Sequence, residues 1–229
     1  MARSARIILP GYPHHIYQRG NNEQAVFMDD EDKAFYLEAL GKASRQFQVD
    51  IHAYALIDDS VYIVATPSHT EGLARMVQLV GRTYVPYFNR RHGRTGTLWE
   101  GRFRTSVIET APWLMKCYRY VEMRPVVAGL VMDPAQYRWS SCPHHVGAGH
   151  SPILCDHILY WNLGNTPFAR ESAYLAFMLE LEADEEAYLT RVLTKGWPLG
   201  TQNFIAQLEK QVGRLFRMGR RGRPPAKKV

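Results

Sequence analysis

The sequence predicts an α+β protein in which a ferredoxin-like antiparallel sheet with helices on one face is followed by a helical C-terminal extension. Two observations support this prediction. Hydrophobic periodicities follow the order strand, helix, strand, strand, helix, strand and then helix, which is the ferredoxin-like pattern. The chain also has 229 residues, 46% of them hydrophobic, which is enough for a sizeable core with an extension.

Local signals define each predicted element. A pair of aspartates opens the first helix, and Asp58-Asp59 separates two alternating runs into a hairpin. Pro112 falls in the first turn of the third helix, where a missing amide hydrogen costs least, and that helix stops before Pro125. The predicted strands are 15–19, 49–56, 61–66 and 103–108, and the predicted helices of this region are 29–46, 71–89 and 110–124.

Composition divides the chain into four parts. The segment after the sheet is aromatic and contains His144 and His145, and we interpret it as a connection. Two helical stretches follow, at about 167–193 and 200–215. The end of the chain is basic and lacks acids, so it is expected to form no stable structure in isolation. The predicted division is a sheet domain 1–133, a connecting segment 134–152, a helical region 153–216 and a basic tail 217–229.

Net charge and cysteine content indicate the class of binding partner and the cellular compartment. The formal net charge of +6 favours a polyanion, which can be DNA, RNA or a membrane surface. The three cysteines form no C-x-x-C pair, and we find neither a secretory signal nor an apolar run long enough to span a bilayer. We therefore expect a cytoplasmic protein with free thiols and no membrane partner.

An arginine-rich stretch interleaved with aromatic residues is a candidate nucleic-acid surface. Guanidinium groups form charge-assisted bonds to phosphates, and aromatic faces stack on unpaired bases. Alternatively, the aromatic residues fill the core and the arginines form a solvated face. The candidate DNA-binding residues of this stretch are Arg82, Arg90, Arg91, Arg94, Trp99, Arg102 and Arg104.

The tail contains a second candidate. Arg221-Gly222-Arg223-Pro224 has the form of an AT-hook core, in which both arginines enter a narrow minor groove. A generic phosphate-seeking tail is the alternative.

Several blocks, taken in order, resemble the REP-associated tyrosine transposases, a family of HUH-type single-strand DNA transposases. They include Trp99-Glu100-Gly101-Arg102, and together they are residues 13–22, 53–67, 93–103, 118–129, 137–141 and 196–200, with the basic tail. The resemblance implies single-strand DNA cleavage and joining near hairpins. In that family two histidines hold a divalent metal on the scissile phosphate, and a tyrosine attacks to form a 5′-phosphotyrosine.

Carried onto this chain, the resemblance places Tyr120 at the catalytic nucleophile, with Tyr118 as a competitor. Ser60 and Tyr62 occupy the former metal positions, where the family has its paired histidines. Neither is a good ligand for Mg²⁺ or Mn²⁺ at neutral pH, so no metal or other cofactor is expected. Mg²⁺ or Mn²⁺ would be required only if the site is active.

Other residues near the site remain open. Asp58 shares the face of Ser60 only if the strand extends to it, and His14, His15 and His52 are more often packed or exposed histidines than ligands. The chain also departs from the family at Arg124 and Val127. Arg124 lies four residues after Tyr120, on the same helix face, and is the candidate phosphate-binding group or a group that lowers the tyrosine pKa.

Three functional hypotheses follow. The first is a transposase-derived protein that binds hairpin or single-stranded DNA with weak or lost cleavage. The second is an active tyrosine transposase, for which metal dependence would speak. The third is an RNA-binding or structural role, indicated by equal binding of DNA hairpins and matched RNA. The resemblance further implies a homodimer and a nucleoid-associated location.

Overall fold

The computed structural model describes residues 6–180, 183–213 and 215–216 and confirms the α+β fold with a helical C-terminal part. Its antiparallel sheet has four strands, β1 (His14–Arg19), β2 (Val49–Ile57), β3 (Ser60–Pro67) and β4 (Arg104–Val107). They lie in the order β2-β3-β1-β4, which is the ferredoxin-like arrangement. The register pairs Tyr17 with Tyr62, so these side chains share one face.

The helices pack against the sheet and against one another. They are α1 (Asp30–Gln46), α2 (Gly72–Arg91), α3 (Thr110–Glu122), α4 (Arg124–Val127), α5 (Cys142–His145), α6 (Ile158–Trp161), α7 (Pro167–Leu179), α8 (Ala183–Leu193) and α9 (Gln202–Val212). The crossover helices α1 and α2 pack against each other and the sheet, as expected. Helix α3 covers the face that carries His15, Tyr17 and Tyr62.

Charged side chains fix the start of α1 against the end of α2. The Asp29 carboxylate caps α1 by accepting the amide hydrogens of Glu31 and Asp32. The Asp32 carboxylate is fully buried and accepts a hydrogen bond from Arg91 at 2.7 Å and lies 2.9 Å from His92 Nε2. Because a buried carboxylate needs such partners, these residues hold the two crossover helices together.

The predicted connecting segment has a structural role. Together with the residues that follow it as far as Cys155, it runs along β2, which would otherwise be a free sheet edge. The Leu56 amide donates to the Trp139 carbonyl at 2.9 Å, and the Cys155 amide donates to the Ile51 carbonyl at 2.7 Å. Sequence periodicity missed this pairing because the segment contributes isolated bridges rather than an alternating strand.

The C-terminal helices pack back onto the sheet domain. The predicted helix 167–193 is divided into α7 and α8, and α9 ends at Gly213, whose φ of 64° lies in the left-handed region. The Leu199 amide donates to the Val107 carbonyl at 2.8 Å, which joins the chain before α9 to β4. No helix in the described ranges is both long enough and apolar enough to cross a membrane.

Candidate active site

Tyr120 lies on α3 above the two central strands of the sheet. Its ring centroid is 5.9 Å from that of His15 on β1 and 6.4 Å from that of Tyr62 on β3. Only 2% of the residue is exposed. Burial raises the pKa of Tyr120 to about 12, although the Arg124 charge and a hydrogen bond with Thr190 act in the opposite direction. The phenol is therefore neutral near pH 7 and a weak nucleophile.

Ser60 and Tyr62 project from the same face of β3, as their spacing predicts. The Ser60 hydroxyl donates to the Asp59 carboxylate at 2.7 Å, and the Tyr62 ring packs 4.9 Å from that of Tyr17. Burial raises the pKa of Tyr62, so its phenol is neutral. A serine hydroxyl and a neutral phenol do not fit a Mg²⁺ or Mn²⁺ ion at these positions.

His15 is the histidine that faces Tyr120. It is 1% exposed, and neither ring nitrogen has a hydrogen-bond partner within the described part of the chain. Burial, helped by the Arg124 charge, lowers the pKa of His15 to about 3. The site thus contains an uncharged imidazole whose buried polar atoms are unsatisfied.

The remaining candidate ligands have other partners. His14 Nδ1 lies 2.7 Å from the Tyr12 carbonyl, and His52 lies 2.7 Å from both the Cys155 carbonyl and the Thr66 hydroxyl. Asp58 follows the end of β2 in the hairpin turn and pairs with Lys33. The strand therefore does not extend to Asp58, so Asp58 does not share the face of Ser60.

Tyr118 occupies the opposite side of α3 from Tyr120. It is fully buried and stacks between His52 and His145, with ring centroids at 6.3 Å and 5.2 Å. Burial, together with the nearby Glu122 charge, raises the pKa of Tyr118 well above its usual value. This environment makes Tyr118 a core residue and leaves Tyr120 as the tyrosine above the sheet.

Arg124 contacts Tyr120 directly. Its guanidinium carbon lies 4.0 Å from the centroid of the Tyr120 ring, and its Nε donates to the Tyr120 carbonyl at 2.8 Å. The other end of the guanidinium forms an ion pair with Glu186 of α8. The predicted proximity to the tyrosine is therefore present, but the charge that was expected to bind phosphate already has a carboxylate partner.

Helix α8 closes this side of the site with its acidic first turn. Glu185 pairs with Lys116 at 2.5 Å and also with Arg119, while Glu186 pairs with Arg124. Thr190, one turn further along α8, interacts with the phenol of Tyr120. Three cations on or next to α3 are thus neutralised by carboxylates of α8.

Several predicted DNA-binding residues serve the fold. Arg91 pairs with Asp29, Glu31 and Asp32. Three others contact residues elsewhere in the fold. Arg94 donates to Gln24 at 2.6 Å, Arg104 donates to the Thr194 carbonyl at 2.7 Å, and Trp99 is half-buried against Tyr36 and Tyr84.

Three of the predicted arginines remain exposed to solvent. Arg82, Arg90 and Arg102 make no hydrogen bond or ion pair with any residue that the structure describes. Arg102 lines a shallow groove between α2 and the loop before β4, together with two further cations, Arg6 and Arg75. Glu71 is the acidic residue in its lining. We use the name basic groove for Arg6, Arg75 and Arg102 together with Arg82, which lies two turns beyond Arg75 on α2.

The basic groove continues along α2. Arg75 and Arg82 are seven residues apart, and Arg90 follows eight residues later, so all three belong to one stripe of the helix. Sequence analysis missed Arg6 and Arg75 because they lie outside the arginine-rich stretch. The helical spacing from Arg75 to Arg82 was the available signal. The predicted tail residues Arg221 and Arg223 lie outside the described residues.

Comparison with known proteins places the fold. No family model matches the chain, and no curated protein matches its sequence. A structure of the REP-associated tyrosine transposase bound to a REP hairpin is similar, with a TM-score of 0.54 and 17% identity over 69% of this chain and 92% of that chain. The tRNA(His) guanylyltransferase of Saccharomyces cerevisiae matches at a TM-score of 0.38 and 14% identity over 82% of this chain and 80% of that chain, which is too distant for a conclusion. The chain therefore has a transposase-like fold.

Proposed function

We propose that this chain is a DNA-binding protein derived from a tyrosine transposase, that it recognises hairpin or single-stranded DNA, and that its cleavage activity is weak or lost. The observation that carries the proposal is the likeness in fold to a transposase bound to a REP hairpin, which extends over 92% of that chain. The order of the sequence blocks around Tyr120 agrees with this origin.

The state of the tyrosine pocket supports weak cleavage. The phenol of Tyr120 is buried and protonated, and Arg124 beside it is paired with Glu186. Ser60 and Tyr62, at the former metal positions, do not fit a divalent ion. Such an ion would stabilise the negative charge of the five-coordinate phosphoryl transition state. A phosphodiester could reach Tyr120 only after α8 had moved away.

The basic groove is the proposed contact for the DNA backbone. Arg75, Arg82 and Arg102 are exposed, whereas Arg6 is half-buried and donates to the Phe103 carbonyl. Arg82 and Arg102 have no acidic partner among the described residues. The pair between Arg75 and Glu71 is solvent-exposed and contributes little, so phosphate can replace it. Of the residues predicted from sequence, Arg82, Arg90 and Arg102 therefore remain in the proposed DNA surface, and Arg91 does not.

The double variant Arg82→Ala/Arg102→Ala should weaken binding of a labelled DNA hairpin. Charge-assisted hydrogen bonds contribute about 1.5–3 kcal/mol each, so we expect a loss of at least about tenfold in affinity. Each arginine that contacts a phosphate releases counterions when DNA binds. Without two such arginines, the magnitude of the slope of log K against log salt concentration should fall by about one per arginine. Fluorescence anisotropy across a salt series measures both quantities.

The matched control is Lys42→Ala/Arg45→Ala, which removes the same charge from exposed positions on α1. It should leave affinity and salt slope close to those of the wild type. Equal losses in both double variants would show that net charge, and not the groove, determines binding. Equal affinity for a matched RNA hairpin would favour the RNA-binding alternative.

An active tyrosine transposase is the second candidate. The position of Tyr120 favours it, because the phenol lies over the central strands beside Tyr62, where the resemblance places the nucleophile. This candidate requires α8 to open and a source of charge stabilisation other than Ser60 and Tyr62. It predicts a covalent protein–DNA adduct, which the first candidate does not.

A further inference from the structure

A cluster of three potential metal ligands lies on the opposite side of α3 from Tyr120. His144 and His145 at the end of α5 meet Asp156 from the chain that runs along β2. Their ligand atoms all lie within 4.8 Å of one another, and in the described ranges no other group of three such side chains comes this close. The proposed function does not involve these residues.

The separations within the cluster fit a single bound ion. His144 Nε2 and His145 Nε2 lie 3.2 Å and 3.6 Å from the same carboxylate oxygen, Oδ1 of Asp156. Bonds of about 2.0–2.1 Å around a tetrahedral Zn²⁺ place neighbouring ligand atoms about 3.3 Å apart. The contact of 3.2 Å is also a hydrogen bond between His144 and Asp156, which an ion would replace, whereas 3.6 Å is longer than a hydrogen bond.

His145 is oriented for this task by its other nitrogen. Nδ1 lies 2.6 Å from Oε1 of Glu122, and this carboxylate accepts a further hydrogen bond from Tyr174 at 2.7 Å. A carboxylate can only accept, so Nδ1 carries a hydrogen. Although burial lowers the pKa of His145, the Glu122 charge and Asp156 raise it to about 9, so a bound ion displaces the Nε2 proton, after which Nε2 presents its lone pair. A carboxylate behind a metal-binding histidine is a common outer-shell arrangement.

The Nε2 atom of His145 also supplies an independent indication of a ligand. The residue is 0% exposed, and Nε2 has no hydrogen-bond partner in the described part of the chain. It faces the Asp156 oxygen at 3.6 Å, which leaves room for a cation between the two atoms. When His144 binds the ion through Nε2, its Nδ1 carries the hydrogen. Nδ1 then no longer accepts the Ser151 amide hydrogen, and this contact of 3.4 Å is lost.

We propose that His144, His145 and Asp156 bind one divalent transition-metal ion, with Zn²⁺ preferred for two imidazoles and one carboxylate. Water completes the coordination, since His144 and Asp156 are partly exposed. The ion joins the end of α5 to the segment that pairs with β2, and through Glu122 it anchors both to α3. Its role is structural and does not depend on DNA binding.

The test uses the full chain without an affinity tag, treated with EDTA and dialysed. Titration with Co²⁺ should give one saturable site per chain with the visible absorption of tetrahedral cobalt, and Zn²⁺ should displace it and raise Tm. His144→Ala and Asp156→Asn should each weaken Zn²⁺ affinity by at least about tenfold. His69→Ala, which alters an exposed histidine, should bind as the wild type does.

Two results would overturn the proposal. One is the lack of saturable uptake of either metal by the folded wild-type protein. The other is uptake that neither His144→Ala nor Asp156→Asn reduces, which would place the ion elsewhere. Circular dichroism in EDTA establishes that each variant is folded, and both altered side chains are partly exposed, so neither change removes a core residue.

Discussion

Arg119→Met is expected to lower the free energy of unfolding by about 3 kcal/mol, because two backbone carbonyls lose their charged donor and Glu185 keeps only Lys116 as a partner. Arg119 is 3% exposed, pairs with Glu185, and donates to the carbonyls of Phe177 and Glu180, each at 2.9 Å. Methionine fills similar space but satisfies none of these acceptors. Equilibrium denaturation in urea measures the loss, which should come from the docking of α7 and α8.

The matched control is Arg191→Met on α8. Arg191 is exposed and contacts Tyr188 without an ion pair to any described residue, so its replacement should change stability by no more than about 0.5 kcal/mol. If the two variants lose equal stability, Arg119 does not hold the C-terminal helices to α3. Lys116 retains its own pair with Glu185 in both proteins.

His15→Leu is expected to make the protein less sensitive to acid. The pKa of His15 is lowered from 6.5 to about 3 by burial and by the Arg124 charge. As the pH falls below 6.5, His15 becomes protonated in the unfolded chain but stays neutral in the folded chain. The free energy of unfolding therefore decreases until the pH approaches 3. Through His15 alone, the wild type should lose about 2 kcal/mol between pH 6.5 and pH 4.5.

The variant lacks this dependence, and near pH 7 its stability should equal or exceed that of the wild type, because leucine removes two unsatisfied buried nitrogens. Acid titrations followed by circular dichroism give the midpoints. His69→Leu is the control, since its imidazole is exposed, and its acid midpoint should match the wild type. An unshifted midpoint in His15→Leu would contradict the prediction. His14, whose pKa burial lowers to about 4, adds acid sensitivity to all three proteins.

Local patterns were sufficient to predict the sheet and its crossover helices. Alternation around the turn at Asp58-Asp59 predicted the hairpin of β2 and β3, and the spacing of apolar residues predicted α1 and α2 within a few residues. The i, i+4 relation likewise placed Arg124 beside Tyr120. These features depend on neighbours in the chain, which a sequence displays directly.

The closure of the site depends on contacts between distant residues and was not predicted. Glu185 and Glu186 lie more than 60 positions from Arg119 and Arg124, and no periodicity links them. The acidic first turn of α8 and the i, i+3 spacing of Lys116 and Arg119 were the signals available, but neither specifies its partner. For the same reason the meeting of His144 and His145 with Asp156 became visible only in the fold.

The measurement that tests the central claim most directly is a search for a covalent protein–DNA adduct. Labelled hairpins with single-stranded ends are incubated with wild-type protein at a concentration that saturates binding, with Mg²⁺, Mn²⁺ or EDTA, and resolved on a denaturing gel beside Tyr120→Phe. We expect no adduct with either protein under any of the three conditions, since Tyr120 is buried beneath α8. A wild-type adduct that is absent from Tyr120→Phe would contradict this account and identify an active tyrosine transposase.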